Sequence, residues 1–197
     1  MTAVQRPELT FPSAEAALLA RAYQGADVIL EYGSGGSTVM ASELSNTRVI
    51  AIESDPDWAK MMQGWLAENP PAAGTSVDVI WADIGPTKDW GHPVDDQNWR
   101  GYADYALRIW RQDGFAAPDV VLVDGRFRQA CALATAFLTK KPVDLFFDDY
   151  KDRKFYHKVE DYLGQPEITG RMAHFHVTPT PIPPEKLFQV VKFLQHP

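Results

Sequence analysis

Five short apolar runs in this sequence each end in, or just before, an acid. Glu31 lies within Val28-Ile-Leu-Glu-Tyr, and Glu53 closes Val49-Ile-Ala-Ile-Glu. Asp83 follows Val77-Asp-Val-Ile-Trp, Asp124 closes Asp119-Val-Val-Leu-Val-Asp, and Asp148 with Asp149 follows Val143-Asp-Leu-Phe-Phe. Carboxylates accept hydrogen bonds from hydroxyl and ammonium groups, bind hard cations and move protons. Acids repeated at the ends of such runs therefore describe either a polar ligand site or acid–base chemistry, provided the runs share one edge.

The run after Tyr32 adds a second signal. Gly33-Ser34-Gly35-Gly36-Ser37-Thr38 places glycines where a chain turns from strand into helix, and its hydroxyls and free helix amides can face a polar ligand. Glu53 stands twenty positions beyond Gly33, where a carboxylate can take both hydroxyls of a ribose. Turn and acid together argue for an adenosine-containing cofactor.

These residues need a scaffold, and the pattern supplies one. Each run is short, continuous and rich in β-branched residues, the signature of a strand buried on both faces of a parallel sheet. Helical stretches separate the runs. Ala17, Leu18 and Ala22 follow Ser13, a residue type able to cap, and Asp55-Pro56 precedes a stripe of Trp58, Met61, Met62, Trp65 and Leu66. A further helix is expected from about Arg128 to Lys140. After Asp149, Phe155, Tyr156, Val159, Tyr162 and Leu163 predict a helix ending at Gly164. Arg171 to Val177 and Leu187 to Phe193 then read as two antiparallel strands joined by a stiff turn carrying Pro179, Pro181, Pro183 and Pro184.

The expectation is a doubly wound, Rossmann-like α/β fold with about seven strands, mostly parallel with an antiparallel C-terminal strand. One domain spans 1–197, with a helical lead at 1–26 and an aromatic insert at 85–114. Within the insert, Trp99, Tyr102, Ala103, Ala106, Leu107 and Trp110 form a helical stripe. In such sheets ligands bind outside the carboxyl ends of the strands, where the acids lie.

Composition narrows the partners. The 197 residues carry 26 acids against 19 Lys and Arg, a net charge of −7 that repels a phosphate backbone, so a small molecule is expected and nucleic acid is not. No apolar run is long enough to cross a bilayer, and Met1 to Pro12 lacks the order of a secretory signal, so no membrane partner and a cytoplasmic location are expected. Cys131 is the single cysteine and reads as a small apolar core residue. His174 and His176 share a strand face with no third ligand in sight and read as packing or surface residues.

Glu31-Tyr-Gly-Ser-Gly-Gly-Ser-Thr38 resembles the first motif of class I S-adenosylmethionine-dependent methyltransferases, and the resemblance runs from Val28 to about Tyr150. It implies S-adenosylmethionine as cofactor, cradled by Gly33, Ser34, Gly35, Ser37 and Thr38. It puts Glu31 near the methionine amino group, Glu53 and Ser54 at the ribose, Asp83 at the adenine amine and Ile84 against the ring. Ser37 departs from the third glycine of many members. Thr38, where a dinucleotide turn wants glycine or alanine, weighs against an NAD-binding oxidoreductase.

Asp124-Gly125 and Phe147-Asp-Asp-Tyr150 are similar to strand ends in a group of O-methyltransferases. In their metal-dependent members such acids hold magnesium, which implies Asp124, Asp148 and Asp149 as ligands here. Asp149 stands where those members commonly have Asn, and Phe127 where they have a basic side chain. The catalytic residues expected are then Asp124 at the reaction centre and Arg126, ahead of Arg128, for an anionic substrate; Lys151, Arg153 and Lys154 add charge nearby. The leading expectation is methyl transfer to oxygen of a small polar or anionic molecule. A cofactor-binding module without catalysis, supported by Phe127, is the alternative.

Overall fold

The computed structural model describes residues 5–197, so Met1 to Val4 of the expected N-terminal lead lie outside the described residues. A helix Ser13–Gln24 (α1) precedes the first strand, Val28–Tyr32 (β1). Then come Gly36–Ser42 (α2), Arg48–Glu53 (β2), Pro56–Glu68 (α3) and Ser76–Trp81 (β3). The insert carries a small hairpin of Thr87–Lys88 (β4) and His92–Pro93 (β5), and the helix Tyr102–Leu107 (α4). Val120–Val123 (β6), Arg128–Leu138 (α5) and Val143–Phe147 (β7) complete the alternation. Glu160–Leu163 (α6), Glu167–Thr169 (β8), Met172–Val177 (β9) and Leu187–Leu194 (α7) follow.

The main sheet runs β3-β2-β1-β6-β7-β9-β8. Its first five strands are parallel, and β9 pairs antiparallel with both β7 and β8. Strand order reverses between β1 and β6, which opens the crevice where such sheets take their ligands. Period-2 alternation sends neighbours to opposite faces. Leu30, Ile50, Val121 and Leu145 pack under α4 and α5, whereas Ile29, Val49, Leu122 and Phe146 pack with α1. Both faces are covered, which is why these strands read as continuous apolar runs rather than alternating ones.

Asp55 fixes the start of α3, its Oδ1 accepting from the amides of Asp57 and Trp58 at 2.9 Å, with Pro56 in the first helical position. Met62 behind it has no exposed surface. Truncating it to alanine would cost about 2–5 kcal/mol in lost transfer energy and cavity.

Three expectations need correction. Leu187 to Phe193 is the helix α7, not a strand: Val190 and Phe193 are buried against Leu133 and Tyr162, a three-residue spacing that fits a helix, and the adjacent Val190-Val191 pair imitated β propensity. The strand pairing with β9 is the three-residue β8, reached through Gly170 at φ +57°. The proline-rich stretch consequently joins a strand to a helix, and Thr180 N–H donates to the Ala136 carbonyl (2.9 Å) along its way. In the insert the α-helix covers only Tyr102–Leu107, between single 3-10 turns at Trp99–Gly101 and Ile109–Arg111. Tyr102 and Ala106 are core, while Trp99 is exposed. No helix among the described residues is long and apolar enough to cross a membrane.

Candidate functional site

The turns after β1 and β6 are built against each other. Gly33, at φ +106°, sits so close to Gly125 that a β-carbon would meet the Gly125 nitrogen at 2.9 Å, and Gly33 N–H donates to Ile52 O at 2.8 Å. Glycine is required there for packing between strand ends and for the backbone conformation, not for room on the ligand side. Gly35 differs: a β-carbon there would meet nothing within 4 Å, so that side of the turn is open. Gly36 lies beneath the N-terminal segment, its α-carbon against the Glu8 and Leu9 backbone.

Glu31 is fully buried beneath this turn, accepting from the Tyr23 hydroxyl at 2.7 Å and from the Thr38 hydroxyl. Burial raises its pKa, and the surrounding hydroxyls oppose the rise. Its carboxylate therefore props the turn from below, and it reaches the crevice through Thr38, which in turn accepts from Gly35 N–H at 3.0 Å.

Glu53 closes β2 and faces the same turn from the other side. Its Oε2 accepts from the Ser34 hydroxyl (2.8 Å) and amide (3.1 Å), and its Oε1 from the amides of Ser54 (2.8 Å) and Asp55 (3.0 Å). Every partner is neutral. Ser54 donates to the Gly91 carbonyl at 3.0 Å, which latches the tip of the insert onto the end of β2. Asp83 is exposed and caps Gly85 N–H at 2.9 Å, whereas Ile84 belongs to the packed core. Flat surface comes instead from tryptophans that the sequence assigned to cores or passed over. Trp58 donates to Ser34 O (2.8 Å), Trp81 to Ser54 O (3.2 Å), and both are more than two-fifths exposed.

Across the crevice the acids have cationic partners. Arg171 holds Asp148 bidentately, Nε to Oδ1 at 2.9 Å and a terminal nitrogen to Oδ2 at 2.7 Å, and its Nε lies 3.4 Å from Asp149. Arg153 pairs with Asp149 at 2.8 Å. Arg128 is buried and spent on carbonyls, donating to Gly125 (2.9 Å), Asp148 (2.6 Å) and Asp124 (2.8 Å) while touching the Asp124 carboxylate at 3.1 Å. It is a clip between the ends of β6 and β7, so the expectation that it supplies charge to a substrate is corrected. Phe127, in the left-handed region at φ 51°, stands at the N-cap position of α5 without a side-chain capping bond and packs against Tyr102 and Tyr105.

Asp124 and Arg126 remain. The Asp124 carboxyl lies on the crevice floor, where burial, then Asp148 and Asp149, outweigh Arg128 and lift its pKa to about 7. Arg126 meets the ring of His92, and its Nε is buried with no hydrogen-bond partner. Burial, and then Arg126, lower the pKa of His92 and favour the neutral imidazole that can accept this contact.

The acids expected to hold magnesium do not fit one. Both oxygens of Asp148 are taken by a single guanidinium, Asp149 contacts three, and three fixed positive charges surround the place where a dication would need most of six oxygen ligands. A cavity of about 570 Å³ lies away from this edge, along β2 and β3 beside Arg48, Gln63, Asp78 and Phe115, and contains none of the strand-end acids.

Neither a family model nor a curated protein matches the sequence. Solved structures do. A methyltransferase-like protein from Silicibacter pomeroyi is 59% identical over 98% of this chain and 99% of its own, with a TM-score of 0.96. The O-methyltransferase TomG from Streptomyces achromogenes, solved in complex with S-adenosylmethionine, is 19% identical over 86% of this chain and 82% of its own, at a TM-score of 0.55. A methyltransferase from Geobacter sulfurreducens is 14% identical over 85% and 81%, at 0.53. The latter two establish the shared fold. The first, by identity over nearly the full length of both chains, establishes that this chain belongs to the methyltransferase-like family built on the class I S-adenosylmethionine-dependent methyltransferase fold.

Proposed function

We propose that this protein transfers the methyl group of S-adenosylmethionine to an oxygen of a small anionic acceptor, with Asp124 receiving the acceptor's proton and Arg126 holding its charge. The observation that carries the reading is Arg126 itself. It stands two residues past Asp124, it has no carboxylate partner among the described residues, and its Nε is buried and unsatisfied. An unmet buried donor costs about 1–3 kcal/mol, more when charged, and an incoming carboxylate or phosphate would remove that cost with bidentate geometry. His92 on one side keeps the guanidinium from folding back.

S-adenosylmethionine, when bound, supplies an electrophilic methyl group on a sulfonium. The chain's part is to orient and to move a proton. Glu53 exchanges the Ser34 hydroxyl for ribose hydroxyls, Gly35 leaves the turn open to the methionine end, and Trp58 and Trp81 offer faces to the flat parts of the ligands. Asp124, poised near neutrality, is ionised often enough to accept a proton and basic enough to hold it. Arg171 and Arg153 pair with Asp148 and Asp149, and Asp124 is the acid lifted toward neutrality. No divalent ion is needed in this scheme.

Transfer of labelled methyl groups to hydroxylated acids and to their neutral esters, in chelator, tests the reading. Anionic acceptors should be methylated in preference, and Arg126→Ala should erase the preference. Equal turnover of acids and esters by both proteins would assign the arginine a structural role, and activity that disappears with chelation and returns with magnesium would overturn the metal-free scheme. Cofactor binding with no transfer to any acceptor would favour a binding module.

A further inference from the structure

At the opposite edge of the sheet from the crevice, Asp144 near the start of β7 pairs in register with His176 of β9, and Phe146 pairs with His174. Alternation places Asp144, His174 and His176 on one face. The two histidines therefore have the third neighbour that their sequence context did not reveal. His174 Nε2 lies 2.9 Å and His176 Nδ1 2.7 Å from the same Asp144 oxygen, and one ligand atom from each residue falls within 4.8 Å of the others. The His174 ring stacks on Phe146, centroids 4.4 Å apart and planes 12° from parallel, so its orientation is fixed by packing before any ligand arrives.

We infer that Asp144, His174 and His176 form a binding site for a divalent transition-metal ion of the zinc type. Zinc bonds of about 2.0–2.2 Å in tetrahedral geometry put ligand atoms roughly 3.3 Å apart; the two His–Asp144 separations of 2.9 and 2.7 Å would open slightly to reach it, and the two ring nitrogens already lie within 4.8 Å of each other. Two imidazoles and one carboxylate suit zinc and the late first-row metals, not magnesium or calcium. The ligands sit on hydrogen-bonded strands rather than on loops, which holds their spacing. A fourth position opens toward a cavity of about 360 Å³ bordered by Pro142, Val143, Asp144, His176 and Thr178, where water can complete the shell. Asp119 also borders that cavity but is already taken by Lys141 and by the amides of Asp27 and Val28. An ion here would staple the antiparallel strand β9 to the parallel part of the sheet, independently of the methyl-transfer reading.

Calorimetric titration of untagged, chelator-stripped protein with Zn²⁺ tests the site. One ion per chain should bind, Co²⁺ should give the visible absorption of a four-coordinate site, Mg²⁺ should give no heat, and the Tm should rise with Zn²⁺ concentration. His176→Ala is the discriminating variant because this ring is 66% exposed and its loss removes an edge contact with His174 without opening the core, whereas truncating the stacked His174 disturbs β9. His176→Ala and Asp144→Asn should each weaken Zn²⁺ binding by at least about tenfold. Affinity unchanged in both variants would place the ion elsewhere. Absence of binding at micromolar Zn²⁺ would leave the three residues as a hydrogen-bonded clasp and overturn the proposal.

Discussion

The two halves of the crevice satisfy their acids by different means. At the ends of β1 and β2, Glu31 and Glu53 accept only from neutral donors: the hydroxyls of Tyr23, Thr38 and Ser34 and backbone amides. At the ends of β6 and β7, Asp124, Asp148 and Asp149 face Arg128, Arg153 and Arg171. Neutral hydrogen bonds exchange readily for those of a ligand's hydroxyls, since each contributes only about 1 kcal/mol net. Ion pairs in a partly buried setting do not, because removing one partner leaves the other charge stranded. In the proposed mechanism the first half trades partners with a cofactor, and the second holds charge still around the acceptor oxygen.

The largest effect should come from the one acid that the second half leaves incompletely compensated. Asp124→Asn should lower kcat by about 10²–10⁴-fold, the range for loss of a positioned base. In the unaltered protein kcat should rise with pH through about 7 as Asp124 ionises. Stability should move the other way. The native pKa lies above the ordinary 3.8, so the folded protein binds the extra proton between those values and loses stability as pH climbs from about 4 to about 7. Asp124→Asn should flatten that decline and melt higher than the parent at pH 8. A kcat flat from pH 6 to 8 would remove Asp124 from proton transfer.

Arg171→Ala should destabilise the protein by about 3 kcal/mol in urea denaturation, since it strands the 1%-exposed Asp148; Arg171 itself is 37% exposed, which holds the loss to the low end for buried pairs. Adding Asp148→Asn should recover much of the loss. The same variant sharpens the metal question. With the guanidinium gone, both Asp148 oxygens are free, and if the strand ends retain a latent magnesium site, millimolar Mg²⁺ should restore stability to Arg171→Ala while leaving the parent unmoved.

The sequence exposed one half of this contrast better than the other. Strand-end acids are legible because buried parallel strands are unbroken apolar runs, and each run's last residues locate the carboxyl edge; β1, β2, β3, β6 and β7 fall within two residues of the runs that announce them. Their partners are not legible. Arg171 follows Asp148 by 23 positions and a reversal at Gly170, and only the antiparallel pairing of β9 brings it back. Trp58 occupies a core-like position in the apolar stripe of α3, yet the first turn of that helix lies at the crevice and the ring is exposed. In α7 the local β propensity of Val190-Val191 yielded to burial of one helical face, a tertiary effect that no short window carries.

Glu53→Ala should weaken S-adenosylmethionine binding by about 1–3 kcal/mol by calorimetry, the scale of a charge-assisted hydrogen bond. It should leave the β6–β7 half untouched, so the pH dependence of kcat at saturating cofactor should persist. A shift in that dependence would mean that the two halves of the crevice are electrostatically coupled.

Ser34→Ala should have the smallest effect, and its sign is the informative part. The Ser34 hydroxyl donates to Glu53 Oε2 at 2.8 Å, while the Ser34 amide holds the same oxygen at 3.1 Å and the Ser34 carbonyl accepts from Trp58. Removing the hydroxyl leaves the backbone contacts and takes one neutral partner from a carboxylate with little exposed surface, so the unliganded protein should lose about 0.5–1.5 kcal/mol. If ribose hydroxyls take over that position, the liganded protein never uses the Ser34 hydroxyl, and the loss is confined to the free state. Cofactor should then bind the variant more tightly than the parent by that same margin of about 0.5–1.5 kcal/mol, and saturating S-adenosylmethionine should bring the two melting temperatures together. If the hydroxyl instead touches the cofactor while still holding Glu53, binding weakens and the melting temperatures stay apart. Exchangeable partners around Glu53 predict convergence, and a persistent gap would show that this half of the crevice is as fixed as the arginine-bound half across from it.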